Sequence, residues 1–458
     1  MNHLKTPAPA SKDSVLANWI QDFRTKHSLN VKAISFNECK EWSFLNGTFA
    51  HKTGRFFKII GCKATGNVSH LNGLEQPMID QPEIGILGFV TRKTDHGWEW
   101  LVQAKAEPGN VGGFQAAPSV QATRSNYEIV HKGQPTPLIE CFTGSIPDEV
   151  SLLTDIHQSE QGDRFINKFN RNCVAIVPQD YPVPENGLCQ WFSVSDIRSG
   201  LLADFIINTD ARSVFFCSDW QMLCDRGTTP FSKWTNTDGF GYELFQSFTT
   251  DTPYLGIDDL HEKFNSAQES TVIDLDYIPL DELKGWDLGD ETLKATHKKA
   301  SFFVRSYSMH IKSREVDRWC QPLVESTTQS KMALLSTRID GILHFFLRFS
   351  AEPGFKDNIQ LGPSYVDDPN HYSIPWCKKA IEDEKSIKQI EVKQSDEGGR
   401  FMNSVVEYQI YIIDPKWIQK STDNGVWLTL SQLHDLAKVK GYLTNETRSI
   451  LSMLLAWL

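Results

Sequence analysis

The chain has 458 residues, of which 40% are hydrophobic, 22% are charged and 11% are aromatic, and its formal net charge is −11. This composition is typical of a globular protein and excludes collagen-like, low-complexity and wholly disordered chains. The acidic balance argues against non-specific binding to nucleic acid or to an anionic membrane. No apolar run approaches the ~18 residues that a membrane-spanning helix needs.

The first residues, MNHLKTPAPASKDS, lack the apolar segment of a secretion signal, so they predict a disordered tail over residues 1–12. The nine cysteines form no CxxC pair, and the 13 histidines have no zinc-binding spacing. We therefore expect reduced thiols in the cytoplasm and no metal site.

Helix and strand patterns alternate along the rest of the chain. Helical spacing occurs in SVLANWIQDFRTKH and again in GIDDLHEKFNSAQ. Strand-like segments, rich in β-branched and aromatic residues, include IGILGFVTRK, WEWLVQAKA, NCVAIVP, ILHFFLRFSA and VEYQIYIID. SQLHDLAKV, with Ser431 as its N-cap, and the apolar stretch 447–458 are predicted helices. The expected fold class is α+β.

The chain also repeats itself. ISFNECKEW returns as IPLDELKGW, and GDRFINK returns as GGRFMNS. The longest match joins AKAEPGNVGGFQAAPSVQATRSNY to RFSAEPGFKDNIQLGPSYVDDPNHY, with Glu, Gln and Tyr at a common offset of 245 residues. This period is far too long for a solenoid of short repeats. It predicts an internal duplication into residues 13–235 and 236–458.

The repeated segment contains the strongest candidate for a functional carboxylate. Glu107 follows a predicted strand and precedes Pro-Gly, at a strand-to-loop exit where functional sites are often built. The alternative is a turn residue whose carboxylate caps backbone amides. Arg124 has a planar fork of donors that suits phosphate, with a solvated loop as the alternative. Arg164 can bind a diphosphate or pair with a carboxylate, and Trp42 can stack on a nucleobase or pack in the core.

The second copy has counterparts of these residues at Trp286, Glu352, Gln360, Tyr372 and Arg400. Where the first copy reads VQATRSNY, however, the second reads VDDPNHY. The acidic side chains of Asp367 and Asp368 would repel a phosphate, so the first copy is the better anion site.

Together with QGDRFINKFNRN, WFSVSDI and NTDARSVFFC, these segments closely resemble the NDP-hexose 2,3-dehydratase family over about residues 20–458. The resemblance implies two tandem Nudix-like domains, usually in a homodimer, and no metal or redox cofactor. It implies removal of water from thymidine-diphosphate 4-keto-6-deoxy-D-glucose to give the 3,4-diketo-2,6-dideoxy sugar, in 2-deoxysugar biosynthesis. The instability of that product implies a downstream ketoreductase or aminotransferase. The acidic REUxEE box of a Nudix hydrolase is missing from the sequence.

On this basis we predict a role for each candidate of the first copy. Glu107 is the base that removes the C3 proton, Tyr127 is the acid that assists the leaving C2 hydroxyl, and Gln115 or Gln121 donates to the enolate oxygen. The predicted substrate-binding residues are Trp42 for thymine, Arg124 and Arg164 for the diphosphate, and Ser125 and Asn126 as further donors.

Three alternatives remain open. The first places the active site in the second copy, with Glu352, Gln360 and Tyr372 in the corresponding roles. The second is a non-catalytic nucleotide-sugar binding or scaffold protein, and the third is a hydrolase that cleaves the pyrophosphate.

Overall fold

The computed structural model describes residues 14–128, 135–185, 187–297, 300–311, 318–369, 371–420 and 423–458, so the predicted tail lies outside the described residues. The elements of the first repeat are, in chain order, α1 (Val15–Lys26), β1 (Asn30–Ile34), β2 (Trp42–Leu45), β3 (Thr48–His51), β4 (Lys58–Gly66), β5 (Glu75–Asp80), β6 (Gly85–Thr94), β7 (Gly97–Ala106), β8 (Phe114–Ala117), β9 (Val120–Ala122), α2 (Arg124–Tyr127), β10 (Ser151–Ser159), β11 (Phe169–Val177), β12 (Cys189–Ser193), α3 (Val194–Leu201) and α4 (Thr209–Cys217).

The second repeat has nearly the same succession of elements. They are α5 (Phe240–Thr249), α6 (Ile257–Ser270), β13 (Ile273–Ile278), β14 (Trp286–Leu288), β15 (Thr292–Ala295), β16 (Phe302–His310), β17 (Arg318–Ser326), β18 (Ser330–Ile339), β19 (Ile342–Ala351), β20 (Ile359–Gly362), β21 (Tyr365–Asp367), α7 (Pro375–Ile381), β22 (Ile387–Ser395), β23 (Phe401–Met402), β24 (Val405–Ile412), β25 (Gly425–Leu428), α8 (Leu430–Ala437) and α9 (Asn445–Ser452). The α+β class and the internal repeat are therefore confirmed.

The predicted start of α8 is wrong by two positions. Ser431 lies inside the helix, and the N-cap is Thr429, whose hydroxyl accepts from the backbone N–H of Gln432. The Gln432 side chain in turn accepts from the N–H of Thr429, at 3.0 Å. This reciprocal capping box satisfies two backbone donors at once, and so it decides where the helix begins.

Each repeat has its own large mixed sheet of seven described strands. In the first repeat the order is β10-β11-β6-β7-β12, with β8 beside β7 and β9 beside β6. The second repeat has the equivalent sheet, β22-β24-β18-β19-β20, with β25 also beside β19 and β21 beside β18. The central strands β6 and β18 each pair in parallel with one neighbour and are buried along most of their length. The sequences of these strands are continuous apolar runs, as expected for strands of a sheet that is covered on both faces.

The two smaller sheets exchange a strand between the repeats. Strand β1 of the first repeat pairs antiparallel with β16 of the second, from Asn30 opposite His310 to Ile34 opposite Ser306. Strand β13 of the second repeat pairs in the same way with β4 of the first. Each small sheet is therefore completed by the other half of the chain.

Helices α4 and α9 pack against each other at the centre of the molecule, where both are buried. The Thr209 and Ser449 hydroxyls lie 3.0 Å apart, and the Arg448 guanidinium donates to Ser213 Oγ at 2.8 Å and to the Ser159 carbonyl at 2.6 Å. A single hydrophobic core extends from the first repeat into the second around these helices. The two repeats therefore form one folded body.

Candidate active site

A cavity of about 530 Å³ lies between the repeats. Its walls include Trp42, His51, Phe57, Gln81, Glu107 and Gln121 from the first repeat and Arg318, Trp319, Cys320, Gln321, Glu397 and Arg400 from the second. This volume is within the range of small-molecule sites, and the lining combines aromatic rings with a few charged groups, as such sites usually do.

The cavity is shared because the turns that border it cross over between the repeats. The AEPG turn after β7 meets the second repeat's GGRFMN segment, where the Gly399 N–H donates to the Pro108 carbonyl at 2.8 Å. The contact is so close that a Cβ on Gly109, whose φ is +96°, would lie 1.8 Å from the Phe401 carbonyl oxygen. The second AEPG turn meets the first repeat's GDRFIN segment in the same way, with the Gly354 N–H 2.7 Å from the Gly162 carbonyl.

The buried Glu107 carboxylate is held by three side-chain amides. Gln121 Nε2 donates to Oε1 at 2.8 Å, and Asn110 Nδ2 and Asn208 Nδ2 each donate to Oε2 at 3.3 Å. Asn208 is the N-cap of α4, and it also donates to Gln121 Oε1 at 3.0 Å. This network fixes the orientation of the carboxylate at the point where β7 ends. Such fixed positioning is what a base needs to reach a bound proton.

Further buried charges line the cavity close to Glu107. Burial raises the pKa of Glu397 to about 8, and the neighbouring Glu160 adds to the effect. Burial lowers the pKa of Lys168 to about 8, although Glu397 and Glu160 oppose this change. Asp210 also has a raised pKa, caused by burial and then by Glu397. At neutral pH the pocket therefore holds a protonated Glu397 carboxyl group beside the Lys168 ammonium group.

Two of these buried carboxyl groups have unused hydrogen-bonding capacity. Among the described residues, Glu397 Oε2 and Asp210 Oδ1 are buried atoms without a hydrogen-bond partner. A buried polar atom without a partner is costly, so an unsatisfied pair beside a cavity points to a bound molecule that completes it. Both residues line the same cavity as Glu107.

A cation packs on an aromatic ring in another part of the wall. The Arg400 guanidinium lies 4.1 Å from the centre of the Phe57 ring, and its Nε donates to Gln81 Oε1 at 2.9 Å. Trp42 Nε1 donates to the Cys320 carbonyl at 2.9 Å. The contacts with Phe57 and Gln81 hold Arg400 at the cavity, where its planar guanidinium suits a phosphate group.

The equivalent pocket around Glu352 is almost filled. Its volume is about 10 Å³, and its lining includes Asp163 and His371. Asp163 stands where the other copy has Gly399, and its carboxylate pairs with Arg164 at 2.5 Å and with His371 Nε2 at 3.1 Å. The side chains of this ion-pair cluster occupy the space that is open beside Glu107.

The predicted site residues fall into two groups. Those that line the large cavity are Trp42, Glu107, Gln121, Ser125, Asn126 and Arg400. Those outside its lining are Gln115, Arg124, Tyr127, Arg164, Trp286, Glu352, Gln360 and Tyr372.

The positions outside the cavity have clear structural reasons. Arg124 is exposed and pairs with Glu128 at 2.7 Å, and Tyr127 packs in a cluster beyond the cavity wall. Gln115 donates to Ser395 Oγ at 3.1 Å inside the protein. Arg164 pairs with Asp163 of the filled pocket, and its guanidinium lies 4.0 Å from the centre of the Phe302 ring. Because the GGRFMN segment of the second repeat meets the AEPG turn of the first, the cavity beside Glu107 contains Arg400. Arg400 therefore lies where we predicted Arg164.

The other second-copy counterparts also have other partners. Trp286 Nε1 donates to the Glu75 carbonyl at 2.7 Å, and Gln360 Oε1 accepts from Ser159 Oγ at 2.7 Å. Tyr372 is half exposed, and its ring stacks on His70 with a centroid distance of 5.6 Å.

Sequence reasoning missed several polar residues of the cavity: Gln81, Lys168, Asp210, Trp319 and Glu397. A usable signal was present in the repeat alignment. Lys168 and Glu397 stand where the other copy has Ser404 and Gln161, so both are positions at which the copies differ in charge.

Within the described ranges, no three His, Cys, Asp or Glu side chains are grouped so as to hold a metal ion. No described helix has both the length and the apolar character needed to cross a membrane.

Comparisons with known proteins identify the family. The family model of NDP-hexose 2,3-dehydratases matches residues 13–217 and again 257–454. The chain is 30% identical to a protein named dTDP-4-dehydro-6-deoxy-alpha-D-glucopyranose 2,3-dehydratase from Saccharopolyspora spinosa, over 95% of this chain and 90% of that protein. Proteins of the same name from Amycolatopsis orientalis and Streptomyces violaceoruber are 30% and 28% identical, over 95% of this chain and 88% and 95% of theirs. The chain therefore belongs to the NDP-hexose 2,3-dehydratase family, as the sequence motifs predicted.

Proposed function

We propose that this protein removes water across C2 and C3 of dTDP-4-keto-6-deoxy-D-glucose, giving dTDP-3,4-diketo-2,6-dideoxy-D-glucose, and that the reaction takes place in the cavity between the repeats. The observation that carries the proposal is the position of the Glu107 carboxylate, fixed by three amides in the wall of a sugar-sized cavity. The names of the three relatives support the choice of substrate and reaction.

The chemistry needs one base, one acid and donors for an enolate oxygen. The ketone at C4 acidifies the proton at C3, and its removal places negative charge on the C4 oxygen. The hydroxyl at C2 is β to that ketone and leaves as water when it receives a proton. The resulting enol then tautomerises to the diketone, and all electrons stay within the substrate.

We assign these roles to residues that line the cavity. Glu107 removes the C3 proton, and Gln121 and Lys168 donate to the enolate oxygen. Glu397 replaces Tyr127 as our proposed acid, because its raised pKa keeps a proton on it at neutral pH. Arg400 binds the diphosphate.

Substitution of the base and of its counterpart tests the proposal. The purified protein would be incubated with the 4-keto substrate, and a ketoreductase with reduced nicotinamide would trap the product for mass spectrometry. Glu107→Gln should lower kcat by at least about 10²-fold, the scale of a lost general base. The matched control is Glu352→Gln in the filled pocket, for which we expect kcat within a few-fold of wild type.

Two results would contradict this assignment. Normal turnover by Glu107→Gln together with an inactive Glu352→Gln would move the active site to the second copy. Intact substrate after incubation with the wild-type protein, with thymidine diphosphate bound in calorimetry, would make the chain a binding protein instead of a dehydratase.

We further propose that each repeat is a Nudix-like domain, divided near residues 235 and 236, and that the chain acts as a homodimer in the cytoplasm. The large mixed sheet of each repeat supports the first point, and the nine free thiols are typical of a reducing compartment. A downstream ketoreductase or aminotransferase would consume the reactive diketone.

Light scattering tests the proposed homodimer. It should give twice the mass of one chain, and a single-chain mass would exclude the dimer.

A further inference from the structure

Two cysteines from different repeats meet in the wall of the cavity. Cys39 lies before β2 in the first repeat and is fully buried, whereas Cys320 in β17 of the second repeat is partly exposed and lines the cavity. The two side chains belong to one packed cluster, and each thiol shifts the pKa of the other. Both are free, although 281 positions (320 − 39) separate them in the chain.

Hydrogen bonds from Trp42 hold the backbones of the two cysteines next to each other. Trp42 joins their backbones, because its N–H donates to the Cys39 carbonyl at 2.8 Å and its indole Nε1 donates to the Cys320 carbonyl at 2.9 Å. A similar Trp contact exists in the other half, from Trp286 to the Glu75 carbonyl. There, however, Leu283 and Glu75 replace the two cysteines in the repeat alignment, so the thiol pair occurs only beside the open cavity.

We propose that Cys39 and Cys320 are a redox-modification site that forms a reversible disulfide between the repeats when it reacts with a peroxide. The Cys320 sulfur attacks hydrogen peroxide, which yields a sulfenic acid and one water. The Cys39 sulfur then displaces the sulfenic oxygen as a second water and closes the S–S bond. Two thiols lose two electrons and two protons in total, and one peroxide becomes two waters.

The reactivity of the two sulfurs supports this order of steps. The neighbouring Cys39 thiol lowers the pKa of Cys320 to about 7, so a large part of Cys320 is thiolate near neutral pH. The pKa of Cys39 is raised by the Cys320 thiol and by burial, so it remains a thiol until its partner is oxidised. Cys320 is open to the cavity, and Cys39 is placed to resolve its sulfenic acid.

Thiol counting and peptide mapping test the site without reference to catalysis. The purified protein would be treated with hydrogen peroxide, unfolded, alkylated with iodoacetamide and digested for mass spectrometry. We expect the alkylated thiols to fall from nine to seven and one peptide pair, containing Cys39 and Cys320, to appear. Dithiothreitol should restore all nine thiols.

Single variants identify the partners. Cys39→Ser and Cys320→Ser should give no cross-linked peptide, whereas the matched control Cys189→Ser, which removes another partly buried thiol, should cross-link as the wild type does. Nine remaining thiols in the peroxide-treated wild type would overturn the proposal, and so would a disulfide that joins any other pair. Mapping of the wild type decides the question even if a variant fails to fold.

Discussion

At the scale of single residues, one side chain distinguishes the open cavity from the filled pocket. Gly399 borders the cavity, and Asp163 at the equivalent position forms a buried cluster with Arg164 and His371. Asp163 alone would be a buried charge at high cost, but two cations compensate it. The duplicated chain therefore has one space that can admit a ligand and one that is occupied by its own ion pairs.

The His371 pair should make the stability of the protein depend on pH. Burial alone would lower the pKa of His371, but the Asp163 carboxylate outweighs it, with smaller contributions from Glu352 and Asp368, and raises the pKa to about 9. Because this value exceeds the unfolded value of 6.5, the stabilisation is complete below pH 6.5 and is lost as the pH rises through about 9. The shift corresponds to on the order of 3 kcal/mol.

Urea unfolding of wild type and of His371→Gln at pH 6 and pH 9.5 measures this contribution. The stability difference between the two proteins should shrink as the pH rises. His70→Gln is the control, because burial lowers the pKa of His70 to about 4 and leaves it neutral across this range. A difference that stays constant from pH 6 to pH 9.5 would show that His371 is not charged in the folded state.

Glu397 should set the alkaline limit of activity. If this carboxyl group is the acid, kcat falls as the pH rises through about 8, where Glu397 loses its proton. Glu397→Gln should lower kcat by about 10²-fold or more while thymidine diphosphate affinity, measured by calorimetry, changes little. A variant that turns over at the wild-type rate would exclude Glu397 as the acid.

Sequence reasoning reached part of this cavity and not the rest. Glu107, Gln121 and Trp42 were found because they lie in segments that the chain repeats, and all three line the cavity. The repeat alignment marks Lys168 and Glu397 only as positions where the copies differ in charge, and it does not show that the two residues meet. Their proximity depends on which turns meet in the folded protein.

At the scale of structural elements, the crossing turns leave no room for a side chain. A Cβ on Gly109 would lie 1.8 Å from the Phe401 carbonyl oxygen, and one on Gly354 would lie 1.7 Å from the Phe165 carbonyl oxygen. Both glycines are in the repeated AEPG segment, so the motif preserves two contacts between the halves. The AEPG segment therefore has a packing role, through its glycine, in addition to the catalytic role that we propose for Glu107.

Gly109→Ala should therefore destabilise the protein strongly. Gly399→Ala is a matched control, since Gly399 has φ of +82° against +96° for Gly109 but has no atom within 4 Å of the place that a Cβ would take. Both substitutions add backbone strain of roughly 1–2 kcal/mol, and only Gly109→Ala adds a clash with a backbone carbonyl. We expect a clearly lower melting temperature for Gly109→Ala than for Gly399→Ala, and equal values would contradict the close contact.

The strands were easier to predict than their partners. The apolar patterns of β6, β7, β11, β19 and β24 identified these strands because most of their residues are buried. The exchange of β1 and β13 was not predictable in this way. Both strands have mostly half-buried or exposed residues, and their pairing partners lie in the other repeat.

At the scale of the whole molecule, the two repeats should not fold separately. Each half would lack one strand of a small sheet and the helix that packs against α4 or α9. We expect residues 1–235 and 236–458 to be insoluble when expressed alone and to copurify when expressed together. Circular dichroism and gel filtration of the halves check this, and a monomeric, cooperatively melting half would contradict it.

Strand β1 has a further consequence during synthesis. Its partner residue for Asn30 is His310, so 280 more residues (310 − 30) must be translated before the pair can form. At roughly 5–20 residues per second, the ribosome needs roughly 15 to 55 s for this interval. For most of that time β4 also lacks β13, which ends at Ile278, and its open edge is available to other nascent chains or to a chaperone. The order of translation therefore leaves the sheets of the N-terminal half incomplete until well into the synthesis of the second repeat.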